Sequence, residues 1–384
     1  MQLVNGVLLE AVQDEEIQAE GWRTCTVITK SYFSETIWTT LKDHFVISAA
    51  SLKFAEAYAS VMGDVDVTWW QIMMEKYLQQ ASSNPTASVR AAACDCFASM
   101  SRMIYENLAL TFILQVRYQR LAVTLLFSMC SDTDAHVRAA ACRALGVFVL
   151  FPSLREDPMF VSDMTKSILL QKDNKTILVR VRASWAIANL CDALVLENDE
   201  KPEFSLRDYM STTEWIEVLS TATNGALDNE KLRSNAVRAI GSLLRITPQE
   251  YYENTRIMSL VRNAMDALVK NIETGSLKTR WNACHATSNM LLNEHFPIGF
   301  MTGGGIYPWT ASLFQALIGS LIQCKNFKVR INACLAMTTP FKRDQYGDKL
   351  PLIIKSILEA WDTCQENKDY KEIKYKQQLE EQVN

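Results

Sequence analysis

Residues Val179–Leu190 read VRVRASWAIANL, and the register inside this stretch decides the fold. Counted from Arg180, Ala183 stands at offset 3, Ala186 at offset 6 and Ile187 at offset 7. Offsets 3, 6, 7 and 10 share one face of an α-helix. The same register recurs behind five more arginines, giving the anchors Arg90, Arg138, Arg180, Arg233, Arg280 and Arg330, spaced 48, 42, 53, 47 and 50 residues apart. Offset 3 is alanine in all six: Ala93, Ala141, Ala183, Ala236, Ala283 and Ala333. Offset 6 holds Cys96, Ala144, Ala186, Ala239, Ala286 and Ala336; offset 7 holds Phe97, Leu145, Ile187, Ile240, Thr287 and Met337. Small side chains let a helix approach its neighbours closely, and larger ones fill the space between layers. Helical pairs stacked this way bury one core that no single pair could bury alone.

Working outward, each anchor is preceded by an apolar segment of helical period: Trp69–Leu78, Arg120–Met129, Met159–Leu170, Trp215–Ala226, Val261–Ile272 and Leu313–Ile322. Each ends in a short polar turn whose Asn and Asp suit the start of the next helix. The longer connections are Glu197–Ser211, Thr247–Asn254 and Asn293–Pro308, the last with a flexible Gly303-Gly304-Gly305 run. Over 384 residues only 13 Gly and 9 Pro occur while 48% are hydrophobic, which favours helices with short links. The expected fold is therefore an all-α solenoid of about eight armadillo/HEAT-type repeats forming a single array over 1–384. Residues 1–80 are expected to be degenerate repeats, 81–347 six clear ones, and 348–384 C-terminal helices of an incomplete repeat. The last of these, charged from Asp369 onward, is expected to be loosely held.

Charge varies in blocks around a net of −4: residues 1–80 carry −6, 81–190 +4, 191–258 −5 and 259–350 +5. No sustained basic track runs through them, so nucleic acid is not an expected partner. The start, MQLVNGVLLEAVQDEEIQAE, lacks a basic leader and a cleavage-like site, and no apolar run is long enough to span a bilayer. The ten cysteines have no paired spacing and are expected to be reduced thiols. These features imply a cytoplasmic protein, with the nucleus also open to it.

VRVRASWAIANL resembles an armadillo-repeat helix. Three longer stretches, LDNEKLRSNAVRAIGSLL (Leu227–Leu244), KTRWNACHATSNM (Lys278–Met290) and CKNFKVRINACLAMTTPFKRDQYG (Cys324–Gly347), are similar to the C-terminal portion of the HEAT repeat-containing protein 6 family. The similarity runs from about Asn84 to Tyr375. It implies an armadillo/HEAT solenoid without a known reaction or cofactor. Such proteins run longer on the N-terminal side, and DYKEIKYKQQLEEQVN stops where another helical unit is expected, as in a short member, an isoform or an incomplete gene model.

No residue pattern points to chemistry. Cys94, Cys142, Cys284 and Cys334 share offset 4, but successive layers stand on the order of 10 Å apart, too far for one metal with bonds near ~2.3 Å. His44, His136, His285 and His295 form no HExxH motif, and Cys284-His285 diverge by about 100° around a helix. The glycine run lacks the Lys-Ser/Thr of a phosphate loop. Neither catalysis, a cofactor, a metal nor a small-molecule substrate is expected, and an enzyme with a site assembled from distant residues is the remote alternative. The anchor arginines sit where one layer can bond the next.

Offsets 2, 5 and 9 point away from that core. Ten of the residues there, Arg143, Arg182, Trp185, Asn189, Asn235, Arg238, Asn282, His285, Asn289 and Asn332, would form an Asn, Arg, Trp and His stripe along successive layers. Asn can hold an extended backbone, and Trp and Arg make dense contacts. The stripe suits a protein-binding groove on the concave face of a scaffold or adaptor; a merely solvated face is the plainer alternative. Trp185-x-x-x-Asn189 also resembles the Trp/Asn element of importin-α repeats, which makes cargo binding in nuclear transport the second reading, although those receptors repeat the pair and here it occurs once.

Overall fold

Every anchor arginine is the fourth residue of an α-helix in the computed structural model, which describes residues 47–62, 67–107, 115–366 and 378–379. The chain divides into two compact units, Met1–Phe151 and Pro152–Asn384. In the first, α1 is Ala49–Met62. Helix α2 runs through Val67–Ile72, a π-helical Met73–Leu78 and Gln79–Ser82. Then come α3 (Ala87–Ala98), α4 (Gln115–Cys130) and α5 (Ala135–Phe148). The second unit holds α6 (Pro158–Leu169), α7 (Ile177–Glu200), α8 (Thr212–Leu227), α9 (Glu230–Arg245) and α10 (Thr255–Thr274). It continues with α11 (Leu277–Leu291), α12 (Thr310–Gln323), α13 (Phe327–Thr338) and α14 (Leu350–Glu366). Short helical turns, such as Pro152–Arg155, lie between them. Of the expected C-terminal charged segment only Gln378 and Leu379 are described, both helical, with Leu379 buried. His44 lies outside the described residues.

Within each unit the helices form two rows. Helices α1, α3 and α5 stack in the first unit, and α7, α9, α11 and α13 stack in the second, as the anchor row. In the second unit α6, α8, α10, α12 and α14 stack as a flanking row. This is an all-α solenoid of armadillo/HEAT-type repeats, and the one extended pairing among the described residues is the bridge between Phe300 and Ile306. Every residue at offsets 3, 6 and 7 of the six anchors is buried, as the repeat required. At one place the layers meet backbone to backbone: a Cβ on Gly241 of α9 would lie 2.4 Å from the carbonyl oxygen of Ala286 in α11.

The anchors tie the layers together. In α3, Arg90 donates from Nη1 to the carbonyl of Asn84 in the turn before its own helix (2.7 Å), and from Nε and Nη2 to both carboxylate oxygens of Asp132 in the next turn (2.7 and 2.8 Å). Arg138 donates to the carbonyls of Asp132 and Thr133. In the second unit Arg180 donates to the Asn174 carbonyl and stands 3.5 Å from Asp228 of the next turn. Arg280 donates to the Ile272 carbonyl and to Ser320 Oγ, and the buried Arg330 to the Leu321 and Ala360 carbonyls. Carbonyls at a helix end lack intrahelical donors, and one guanidinium satisfies several at once. The turns add caps: Asp134, Asn229, Ser276 and Asn326 accept amide protons of the helices they precede.

Two connections differ from expectation. Helix α7 continues to Glu200 rather than yielding to a loop at Glu197, because Glu197 is fully buried against Arg155 (3.1 Å) and also meets Lys201 (2.6 Å). Loop 293–308 is a pinned hairpin. Gly304 and Gly305 have φ of 89° and 90°, the amide of Phe300 donates to the Asp344 carbonyl, and Asn293 Nδ2 donates to the carbonyls of Leu244 and Thr247. Gly299, at φ 78°, leaves no room for a side chain beside the Asp344 backbone.

Replacing Gly241 by Ala should lower thermal stability. The gain in helix propensity, up to about 1 kcal/mol, is outweighed by overpacking of about 1–3 kcal/mol against a backbone that cannot move aside. Ala236→Leu and Ala283→Leu should each cost a similar amount, read from melting or urea denaturation. Glu197→Ala should also lower the melting temperature, because Arg155 loses its buried partner and keeps only the more exposed Glu200. The hydrogen bonds and charge of Arg90 hold the Asp132 carboxyl below the usual aspartate range. A depressed carboxyl stabilises the fold above its unfolded value, about 3.9, and that contribution fades as pH falls through the folded value. Asp132→Asn should therefore melt earlier than the parent at pH 7, and the gap should close below about pH 4.

Candidate protein-binding face

The ten stripe residues lie on anchor-row helices, Arg143 in the first unit and the other nine in the second. Most are not free in solvent. Arg143 of α5 stands 3.2 Å from Asp95 of α3 and 3.8 Å from Glu56 of α1. Burial, and then the neighbouring Asp95 charge, raise the Glu56 carboxyl above its ordinary value, while Arg143 and Lys53 pull it down.

In the second unit the tied members form a polar seam. Arg238 of α9 reaches back to α7, donating to Asn189 Oδ1 and lying 3.3 Å from Asp192. Ser242 donates to Asp192 (2.6 Å) and accepts from Asn289 Nδ2 of α11 (3.0 Å). Arg245 donates to Asn289 Oδ1 (2.7 Å) and to both oxygens of Asp199 (2.8 Å each). Asn282 donates to Ser234 Oγ (2.9 Å). Burial raises the Asp192 carboxyl in spite of Arg238 and Ser242. The seam corrects one expectation: Asn189 does not project into solvent but is buried, because the next layer closes over it with Arg238. Asp192 and Asp199 were missed from sequence. They lie 12 and 19 residues past Arg180, beyond the helical window read from each anchor, although Arg245 stands at the matching offset 12 of the following repeat.

Four stripe members make no side-chain hydrogen bond or ion pair among the described residues: Arg182, Trp185, Asn235 and His285. The first three are partly exposed and His285 is exposed. Desolvation holds the imidazole of His285 below its ordinary value against the opposing charge of Asp192, with a smaller push from Arg245. Among the described residues Asn332 bonds within its own helix, donating to the Lys328 carbonyl (2.7 Å). These residues sit on a scaffold whose layers are held from behind, which suits recognition of a ligand by side chains already in place.

The described residues hold no group of three or more His, Cys, Asp or Glu side chains able to bind a metal ion. Cys94, Cys96, Cys130, Cys142, Cys191, Cys284, Cys324 and Cys334 are buried and form no disulfide among the described residues, and burial lifts the Cys284 thiol to about 12, far from a reactive thiolate. Among the described residues no helix is long and apolar enough to cross a membrane.

Comparison with known proteins supports the architecture. The HEAT repeat family profile matches residues 122–151, the α4–α5 pair. An uncharacterised Dictyostelium discoideum protein is 24% identical over 80% of this chain, and the chain spans about a quarter, 26%, of that relative's length. Importin beta is similar in structure, with a TM-score of 0.50 and 13% identity over 98% of this chain and 50% of its own. A designed armadillo repeat protein in complex with the peptide (KR)4 has a TM-score of 0.46 and 16% identity over 68% of this chain and 97% of its own. The sequence match is thus to a HEAT repeat over 122–151, and the likeness to importin beta is one of fold.

Proposed function

We propose that this protein is a non-catalytic scaffold whose anchor-row face in the second unit binds a segment of another protein. One observation carries the reading. On a face where Asn189, Arg238, Ser242, Arg245 and Asn289 are consumed by bonds between layers, Arg182, Trp185, Asn235 and His285 keep their polar groups unspent. Trp and Arg concentrate binding energy because they desolvate large areas while keeping directional contacts. Solenoid faces suit extended ligands because successive layers present equivalent positions in line. We read the motifs over Leu227–Leu244, Lys278–Met290 and Cys324–Gly347 as those of the HEAT repeat-containing protein 6 family, and the protein as one that works in the cytoplasm or nucleus. Cargo binding of the importin-α kind is disfavoured, since Asn189 of the Trp/Asn pair is buried and engaged by Arg238.

The triple variant R182A/W185A/H285A should lose partner capture in pull-downs from cell extract while its melting temperature moves by a degree or two, surface changes costing about 0.5 kcal/mol or less each. R238A is the contrasting control. It strips a bond from buried Asn189 and the counter-charge from Asp192, and should lower the melting temperature clearly. Full capture by the triple variant would move the interface off this face.

A further inference from the structure

The joint between the α6–α7 layer and the α8–α9 layer departs from the repeat on both of its walls. Offset 4 behind the anchor is Cys94, Cys142, Val237, Cys284 and Cys334 in five layers, all buried. In α7 the same offset is Ser184, and it is half-buried. The opposite wall is α8. Counted 16, 13, 12 and 9 residues before its anchor, the next flanking helix, α10, carries Ala264, Ala267, Leu268 and Asn271, all buried. There Asn271 seals the layer by donating to the Ala226 carbonyl (2.8 Å). At the matching places α8 carries Glu217, Ser220, Thr221 and Asn224. The interval from Arg180 to Arg233, 53 residues, is also the longest of the five.

The consequence is a cleft of about 650 Å³ between the two layers. Its floor is buried and aliphatic: Ala183, Ile187, Ala222, Leu232 and Ala236. Ser184, Ser220, Thr221 and Asn224 also line it, and none of the four makes a side-chain hydrogen bond among the described residues. By contrast Thr165, Thr223 and Thr287 each donate to the carbonyl four residues back. Hydroxyl and amide groups drawn partly out of water are costly to leave unmet. The charged groups of the cleft are three carboxylates, Asp173, Glu217 and Asp228, and two cations, Lys172 and Arg180. Their pairing is loose. Lys172 stands 3.9 Å from Glu217 and Arg180 3.5 Å from Asp228, whereas Arg90 grips Asp132 through two bonds of 2.7 and 2.8 Å. The carboxylate oxygens therefore keep lone pairs for a ligand's donors.

A cleft of this volume, apolar at its floor with a few polar groups above, suits one small molecule. The excess of carboxylates disfavours an anion, and Lys172 and Arg180 disfavour a cation. A nucleoside is neutral, its base has apolar faces and a hydrogen-bonding edge, and ribose hydroxyls donate well to carboxylates. We propose that this cleft binds a nucleoside, its base on the aliphatic floor with its edge toward Ser184, Ser220, Thr221 and Asn224, and its ribose hydroxyls donating to the carboxylates. The site is independent of the protein-binding face, whose residues stand at other offsets. Isothermal titration calorimetry on the full chain tests it with adenosine, guanosine, cytidine, uridine, their 5′-monophosphates and D-ribose. The expected result is saturable one-site binding of at least one nucleoside, weaker for its monophosphate and absent for ribose. Asn224→Ala, which removes an exposed side chain, should weaken that binding about fivefold at unchanged melting temperature. S184C/S220A/T221L, which restores the pattern of the other layers on both walls, should abolish binding and raise the melting temperature. Absence of binding by all four nucleosides, a monophosphate or ribose binding as tightly as the best nucleoside, or unchanged affinity in Asn224→Ala would overturn the proposal. So would undiminished binding by the triple variant; if that variant lost stability instead, the result with Asn224→Ala would decide.

Discussion

The structure depends on a guanidinium placed at the fourth residue of six anchor-row helices, α3, α5, α7, α9, α11 and α13. From there it reaches the carbonyls that end the preceding flanking helix or its turn, and in several layers it also reaches the next repeat. An arginine can do this because its donors diverge in a fixed plane, whereas a lysine offers a single point charge. Alanine at offset 3 and small residues at offset 6 follow from it. If the arginine is to span two layers, the helices that carry it must approach closely, and at Gly241 they touch through the backbone itself. The core supplies the gross stabilisation and the arginines fix the register in which it is buried.

The same economy shapes the exposed face. Polar residues on a solenoid face can serve the stack or serve a ligand, and here the two uses alternate. Arg238, Ser242 and Arg245 on α9 are drawn into bonds with α7 and α11, while Arg182, Trp185 and Asn235 are left over. The ties hold the layers at set distances, and the remaining groups inherit that spacing. Recognition by such a face costs little reordering of the receptor, so selectivity comes to rest on the spacing of the ligand's own side chains.

Much of the fold could be read from the chain because its cause is local and repeated. The alanines at offset 3 recur at the period of the repeat, and Asp134 and Asn229 stand where caps are needed. The face was less legible because its bonds join residues one repeat apart. Nothing near Asn189 announces that Arg238, 49 positions later, will cover it, and nothing near Glu197 announces that Arg155 lies 42 positions before it. Exposure on a helical wheel shows which side chains leave their own helix; it does not show which are met by the next one. The glycine run of 303–305 was misread for a related reason, since Gly304 and Gly305 are bonded through their backbone to Met301, and the neighbouring Phe300 is held by the distant Asp344 carbonyl.

The reach of Arg330 also bears on where this chain can be cut. Its Nη2 donates to the carbonyl of Ala360, so α14 serves α13 as a lid over a buried cation as well as a further apolar layer. A fragment ending in the linker after Gly347 would keep every anchor helix yet open that guanidinium and the α12 face beneath it to water. Fragments for crystallisation or domain mapping are better ended beyond Glu366, with the helix that holds the last anchor arginine in place.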